Sequence, residues 1–471
     1  MLSDNPGSRN SATTPTVAAP ALYPPGVTPP DQPLPILSFL REFPKNPLRS
    51  VPRAVYERDI FVLRRKAMGL TYAWISGPEL VEEILIRRAG ALVKSQVEKR
   101  VFDKSVGESV LTADGARWRW QRRVLAPLFR HQEIVAYVPK MAEAADEQIA
   151  TWRAAGAGLR NVDEDMTVAT LAVIMRTMLG KSDTGTASRI MDATETYLSK
   201  ASWEAAYAIL RVPTWMPHPG TWRMSKSART LRGIMEALIA ERRADGGADE
   251  DLLGRLLSAR DPETDAPMDE EGLINNLSTL LLAGHETTAK ALGWTLYLLA
   301  RSPEWQDAVR EEVSQVVGCG GISATHIDQL SITARVLKES MRLYPPAPVV
   351  ARVNTEIIRA GDENLPIGSN LVFPVYAIHR HKKRWQDPAR FDLDRFLPER
   401  EAALPRGQYM PFGVGPRICI GQAFAMIEAT TLLASFIRAA RFEWDGKHEP
   451  EPISRVTLRP TGGMPLKVTP I

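Results

Sequence analysis

Residues 273–300 form an almost unbroken apolar run, and His285, Glu286 and Lys290 stand in its middle. Its length suits either a membrane span or a helix sealed inside a protein. Charges held at bilayer depth cost roughly 2.5 to 3.5 kcal/mol each on insertion scales, whereas a protein interior can supply each with a partner. A buried helix is the less costly arrangement, and the rest of the chain must pack around it. The opening stretch, Met1 to Gly7, lacks the basic start and apolar run of a secretory signal or membrane anchor. We therefore expect a soluble, cytoplasmic protein with no membrane anchor.

Apolar residues recur three or four apart at 78–88, 116–128, 132–152, 165–179, 229–243 and 422–438, which predicts helices there. Shorter β-branched or apolar runs at 349–358, 371–375 and 456–468 predict a small sheet. The expected fold class is mainly α with small β-sheets. Residues 1–35, rich in Pro, Ser, Thr and Ala, read as a flexible proline-rich lead-in. Loops at 244–249 and 318–323 are too short for linkers, so 36–471 reads as a single domain. A hydrophobic fraction of 44% with 24% charged residues excludes a disordered chain. Lys and Arg outnumber Asp and Glu by only 59 to 55, without a basic tract, so nucleic acid is not an expected partner. Cys319 and Cys419 are the only cysteines, which argues against a disulfide framework.

Cys419 lies in the glycine-punctuated loop Phe412-Gly413-Val414-Gly415-Pro416-Arg417-Ile418-Cys419-Ile420-Gly421, just ahead of the 422–438 helix. Free backbone N–H groups and the helix dipole stabilise a thiolate at such a place. Glycines at 413, 415 and 421 let backbone approach a flat ligand closely. Taken alone, the loop also fits an inert buried cysteine or, with His379 or His381 as base, a hydrolytic nucleophile. In the apolar run, Ala283-Gly284-His285-Glu286-Thr287-Thr288 gathers an acid, a histidine and a helix-weakening glycine, features that mark functional sites. The Thr287 hydroxyl can bond the Ala283 carbonyl four residues back and open a notch. A kinked core helix with Glu286 in a structural ion pair is the other reading.

The pattern Phe-x-x-Gly-x-Arg-x-Cys-x-Gly resembles the haem-binding signature of the cytochrome P450 family at every defining position, and residues 283–288 resemble that family's Ala/Gly-Gly-x-Asp/Glu-Thr-Thr/Ser motif. The resemblance implies the triangular, mostly helical P450 prism and haem b (iron protoporphyrin IX) as cofactor. It makes Cys419 the axial ligand of the haem iron, pairs Arg417 with a propionate, packs Phe412 on the cysteine side and sets Gly413 and Gly421 beside the haem. Trp118 and Arg122 resemble the family's Trp-x-x-x-Arg helix, which implies further propionate contacts. Arg352 is a third candidate for those anions, with an ordinary strand-end arginine as the alternative. Glu339 and Arg342 resemble the family's Glu-x-x-Arg pair, and Pro388, Phe391 and Arg395-Phe396 resemble the segment that supplies its partner, so Glu339, Arg342 and Arg395 imply a structural lock. Leu393-Asp394 departs from the proline or glutamate that the family often has before that arginine.

By the same resemblance the protein is a monooxygenase that inserts one atom of O2 into a hydrophobic small molecule, with Thr287 hydrogen-bonding dioxygen and Glu286 relaying protons. The chain shows no flavin or nicotinamide fingerprint and no iron–sulfur cysteine cluster. A separate electron donor is implied, a ferredoxin or flavoprotein with an NAD(P)H-dependent reductase, docking through Arg122, Arg123 or Arg417. Substrate contacts are expected from the loop before Trp118 and from 201–224, 280–283 and 346–350, with Trp203, Trp215, Met216 and Trp222 as candidate pocket walls. A peroxygenase or isomerase, and a haem-binding sensor or carrier without turnover, stay open as alternatives.

Overall fold

A computed structural model describes residues 20–65, 69–180, 183–244 and 251–471. The apolar run becomes the helix Glu270–Ala300, opened by Asp269, whose carboxylate accepts from the Gly272 N–H. Nearly every side chain along it is buried, so it offers no solvent face and has to be surrounded. The helices Val162–Met178, Thr221–Ala244, Ser331–Leu343 and Gln422–Ala439 pack against it. Among the described residues no helix is long and apolar enough to cross a membrane.

The charges in the middle of this central helix are answered one by one. Lys290 Nζ reaches Asp163 Oδ2 at 2.7 Å, and Glu286 meets Thr457 and Arg459. His285 donates from Nδ1 to the Leu281 carbonyl at 2.9 Å, and burial pushes its pKa down, so the ring stays neutral. Gly284 has a packing role that periodicity could not reveal: a Cβ there would come within 2.8 Å of Ile174 Cδ1 on the Val162–Met178 helix.

Prolines set the ends of several expected helices. The 132–152 pattern splits into His131–Val135 and Val138–Ala155, because Pro139 lacks an N–H and can sit only in a first turn. The 116–128 pattern is α-helical over Gly115–Leu125, and Pro127 turns the remainder into a 3₁₀ turn. The 78–88 pattern is an α-turn, Pro78–Glu82, followed by a π-turn, Glu83–Arg87. The 229–243 pattern begins earlier, as Thr221–Ala244. The 318–323 loop is present, and of the 244–249 loop the residues from 245 onward lie outside the described residues.

Strands form the small sheets expected of the fold class. The five-stranded sheet runs in the order Ile60–Arg65, Leu70–Ile75, Asn370–Phe373, Val350–Asn354 and Leu92–Lys94, with one parallel pairing, Tyr72 to Asn370. In its last antiparallel pair Lys94 lies opposite Arg352. A second sheet places Pro465–Pro470 between Gly158–Asn161 and Ala440–Trp444. Two hairpins complete the β-structure, Ile358–Ala360 with Glu363–Leu365 and Pro452–Ser454 with Leu458–Pro460.

The proline-rich lead-in is described only in part. Residues 1–19 lie outside the described residues, but 20–35 lie against the body instead of hanging free. Leu22 bridges Phe391, the Tyr344 hydroxyl donates to the Pro25 carbonyl at 2.7 Å, and the Val27 N–H donates to the Tyr376 hydroxyl at 3.2 Å. Extended proline backbone leaves its carbonyls free, and here they are taken up by the Tyr344 hydroxyl and by the backbone N–H groups of Phe391 and Arg53.

Glu428 is the most isolated acid in the core. It sits on the Gln422–Ala439 helix with no solvent exposure, and neither carboxyl oxygen has a hydrogen-bond partner. Burial raises its pKa from 4.5 to about 8, opposed only by the nearby Thr288 hydroxyl, which also leans to the Gly284 carbonyl at 3.4 Å. Between those two values the folded state holds a proton that the unfolded chain releases, so this contribution to stability is full below pH 4.5 and is lost as pH rises through about 8. Glu428→Gln should therefore flatten the decline in stability between pH 5 and pH 8, measured by urea unfolding; the same decline in both proteins would refute the assignment.

Candidate active site

A cavity of about 660 Å³ lies between the notch of the central helix and the cysteine loop. Leu280, Ala283 and Thr287 line one wall, and Phe412, Gly413 and Cys419 line the other. The rest of the lining is largely apolar, including Val106, Val110, Leu111, Ile209, Leu210, Pro346 and Val350. A pocket of this size and character suits a hydrophobic guest.

The cysteine wall is built from the backbone. The Cys419 N–H donates to the Phe412 carbonyl at 2.9 Å and closes the loop on itself. Gly413 and Gly415 both have positive φ, +73° and +76°. At Gly415 a Cβ would lie 2.3 Å from the Leu85 carbonyl oxygen, so the loop packs directly on the π-turn; at Gly413 it would meet nothing within 4 Å. Gly421 is the residue before the Gln422–Ala439 helix, with φ −88°. A Cβ on it would stand in ordinary contact, 4.0 Å from the Cys419 sulfur, so the residue lies beside the thiol without crowding it. Cys419 is crowded by protein, yet its free surface faces the cavity. Burial pushes its pKa up, while the Gly421 N–H and the Arg122 guanidinium pull the other way.

Opposite the thiol, the Thr287 hydroxyl donates to the Ala283 carbonyl at 2.7 Å, the back-bond expected from the sequence. Burial works against ionising Glu286, but Arg459 and Lys290 hold its carboxyl below the usual range. Arg459 Nη2 stands 2.7 Å from Glu286 Oε1, and the Thr457 hydroxyl donates to the same oxygen at 2.8 Å. Both partners come from the C-terminal hairpin region, and sequence reasoning missed them because nothing in residues 457–459 marks them as neighbours of residue 286.

At one end of the cavity the lining turns polar. The Arg417 guanidinium lies 4.3 Å over the Trp118 ring, and its Nη2 reaches Asp114 Oδ1 at 2.8 Å. Its Nη1 is buried without a partner, and burial lowers its pKa to about 10 against the pull of Asp114. Arg122 donates from Nη1 to the Ile418 carbonyl at 2.9 Å, beside the cysteine. Arg352 lines the same end, is buried, and reaches Glu98 at 3.4 Å.

Behind the loop, Glu339 and Arg342 are both fully buried and joined by two hydrogen bonds of 2.7 and 2.8 Å. Arg342 also donates to the carbonyls of His379, Pro388 and Arg390, and the Asp392 N–H donates to Glu339. Arg395 stands 3.5 Å from Glu339 and donates to the Asp387 carbonyl. His379 in turn accepts the Met410 N–H at Nε2, which ties this network to the strand of chain entering the cysteine loop.

A family model described as Cytochrome P450 matches residues 28–468. The chain belongs to the cytochrome P450 family. It is similar to cyclooctatin synthase of Streptomyces melanosporofaciens, 31% identical over 84% of this chain and 84% of the relative. Cytokinin hydroxylase of Arabidopsis thaliana is 30% identical over 83% and 78% of the two chains. Pentalenene oxygenase of Streptomyces avermitilis is 27% identical over 93% and 96%. Cytochromes P450 bind haem b through a cysteine thiolate, and this chain is a P450 monooxygenase.

The residues present fit the haem. A thiol faces the slot, glycine leaves open space beside it, and a buried guanidinium nitrogen waits without an acceptor where an anionic edge would lie. Several finer expectations are corrected. No histidine among the described residues lines the cavity, and burial drives His379 to a pKa of about 3, so a cysteine–histidine nucleophile is not assembled. Trp203, Trp215, Met216 and Trp222 do not line the cavity either; Trp215 and Trp222 are 78% and 68% exposed. Arg123 is clamped by Asp261 at 2.9 and 3.0 Å, which leaves little free charge for docking a donor. Removing the carboxylate charge with Glu339→Gln leaves two guanidinium groups buried around a neutral amide. We expect it to cost about 3 kcal/mol or more, read as a lower urea midpoint; an unchanged midpoint would show that the network carries no stability.

Proposed function

We propose that Cys419 is the axial ligand of the haem iron in a single haem domain spanning 36–471, and that Arg417, Trp118, Arg122 and Arg352 hold the propionates. The observation that carries this reading is the open face of the Cys419 thiol across the slot from the Thr287 hydroxyl, with the unpartnered Arg417 Nη1 at its edge. Bound there, haem supplies the activation of O2 that lets one oxygen atom enter a C–H bond. The chain's own residues do the rest. Phe412 and Gly413 floor the slot on the cysteine side, and Gly421 lies beside the sulfur. Glu339, Arg342 and Arg395 act as a lock that keeps the loop entrance in place.

Thr287 and Glu286 manage protons. The Thr287 hydroxyl, held to the Ala283 carbonyl, is oriented over the slot and can pass its proton inward while re-bonding. Glu286 is ionised and tied to Arg459, which also pairs with Glu195, a side chain 63% exposed. Arg459 keeps its own proton and holds Glu286 as a carboxylate beside the cavity, a base that can take a proton arriving from solvent and pass it toward Thr287. The apolar lining excludes water and selects a hydrophobic small molecule. Electrons come from a separate ferredoxin or flavoprotein with its NAD(P)H-dependent reductase, in the cytoplasm.

Two measurements test the proposal. The dithionite-reduced protein under carbon monoxide should show a Soret band near ~450 nm, the mark of thiolate ligation, and Cys419→Ser should lose it. In Thr287→Ala, peroxide released per NAD(P)H should rise severalfold while product per NAD(P)H falls. Equal product yield in this variant would overturn the proton role, and no product from either protein would favour a carrier without turnover.

A further inference from the structure

Away from the active site, a second cavity of about 360 Å³ opens where residues 24–29 lie against the body. It shares no lining residue with the active-site cavity. One side is the 3₁₀ turn Arg53–Tyr56, and the other runs from Tyr376, on the short helix Val375–Ile378, through Arg380 and Lys382 to Pro388. The Lys382 N–H donates to the Tyr56 carbonyl at 2.9 Å and holds the two sides together. Three cations and two tyrosines line this cavity, and no carboxylate does.

Two of the cations have partners of their own: Lys382 meets Glu57 at 2.7 Å, and Arg53 meets Asp31 at 2.9 Å. Arg380 has no such partner. Among the described residues nothing accepts a hydrogen bond from its guanidinium, and Nη1 is sealed from solvent as well. The guanidinium lies 3.8 Å over the Tyr376 ring and 5.6 Å from that of Tyr344. Stacking of this kind satisfies the faces of the group, whereas its N–H donors lie in the plane and point past the rings. The tyrosines repeat the pattern. Tyr56 is 6% exposed, and its hydroxyl is buried without a partner. Burial pushes its pKa up, so that hydroxyl keeps its proton. The Tyr376 hydroxyl accepts the Val27 N–H at 3.2 Å, and among the described residues its own proton has no acceptor. Buried donors left unanswered are costly, and here three side chains offer them to one cavity.

We propose that this cavity is a binding site for a small organic carboxylate, held by the Arg380 guanidinium and the Tyr56 and Tyr376 hydroxyls. A carboxylate matches the guanidinium fork with two parallel hydrogen bonds. Its single charge equals the one cation without a partner, where a phosphate ester would bring nearly two at neutral pH. Pro24, Val27, Pro29 and Pro388 give the remainder of the ligand apolar walls. A ligand that touches both residues 24–29 and the segments facing them fastens the N-terminal stretch to the body and stabilises the fold by mass action.

The test is a calorimetric titration of the haem-loaded protein with benzoate, with the Soret band followed in parallel to report the active-site cavity. Wild type should bind benzoate without a Soret shift. Tyr56→Phe should bind it about tenfold more weakly, the effect of losing one hydrogen bond to a charged group, and Arg380→Gln should lose binding altogether. Neither residue lines the active site, so the Soret band should be the same in all three proteins. No binding by wild type at millimolar benzoate, or wild-type affinity in Arg380→Gln, would overturn the proposal. If Arg380→Gln does not fold, Tyr56→Phe decides alone, and wild-type affinity in that variant overturns it equally. Benzoate that binds only with a Soret shift occupies the active-site cavity instead, with the same consequence. Inorganic phosphate is the second arm: phosphate binding that depends on Arg380, with benzoate silent, would overturn the carboxylate assignment.

Discussion

Everything at the active site hangs on the burial of Glu339. A carboxylate with no solvent must be answered by charge and hydrogen bonds, and Arg342, Arg395 and the Asp392 N–H do so from three places in the chain. Because Arg342 spends its remaining donors on the carbonyls of 379, 388 and 390, the irregular segment before the cysteine loop is fixed without needing secondary structure of its own. His379 passes that fixation to Met410, two residues before Phe412. The network thereby holds the segment that enters the cysteine loop.

The cavity is electrically lopsided. Most of its lining is hydrocarbon, and its cations gather at one end beneath the five-stranded sheet. An apolar guest finds its matching surface over most of that lining, and a negatively charged group finds it only at the cationic end. Glu286 is answered by Arg459, which also meets Glu195, and none of these three takes part in the Glu98 and Asp114 ion pairs.

Much of this was legible in the sequence because it is local. The helix of residues 270–300, its charged interruption, the Thr287 back-bond and the cysteine loop are all defined by residues within a few positions of one another. What was missed is long-range. Arg459 and Thr457 reach Glu286, and Lys94 faces Arg352, across separations that no periodicity encodes. The strands Ile60–Arg65 and Leu70–Ile75 escaped notice for a related reason: their side chains do not alternate cleanly, since the sheet lies partly against the cavity. Trp215 and Trp222 illustrate the converse error, in which residue size suggested a pocket wall while the fold left both in solvent.

The one parallel pairing in the main sheet also governs when the protein becomes itself. Residue 72 finds its partner only at residue 370, and Asp114 finds Arg417 only after almost the whole chain has emerged. Contacts of such sequence separation are slow to form because loop closure must precede them. A nascent chain can build the helices around residues 270–300 early, but it owns no cofactor site until its last sixth is made. The cavity these contacts enclose is consequently completed close to the end of folding.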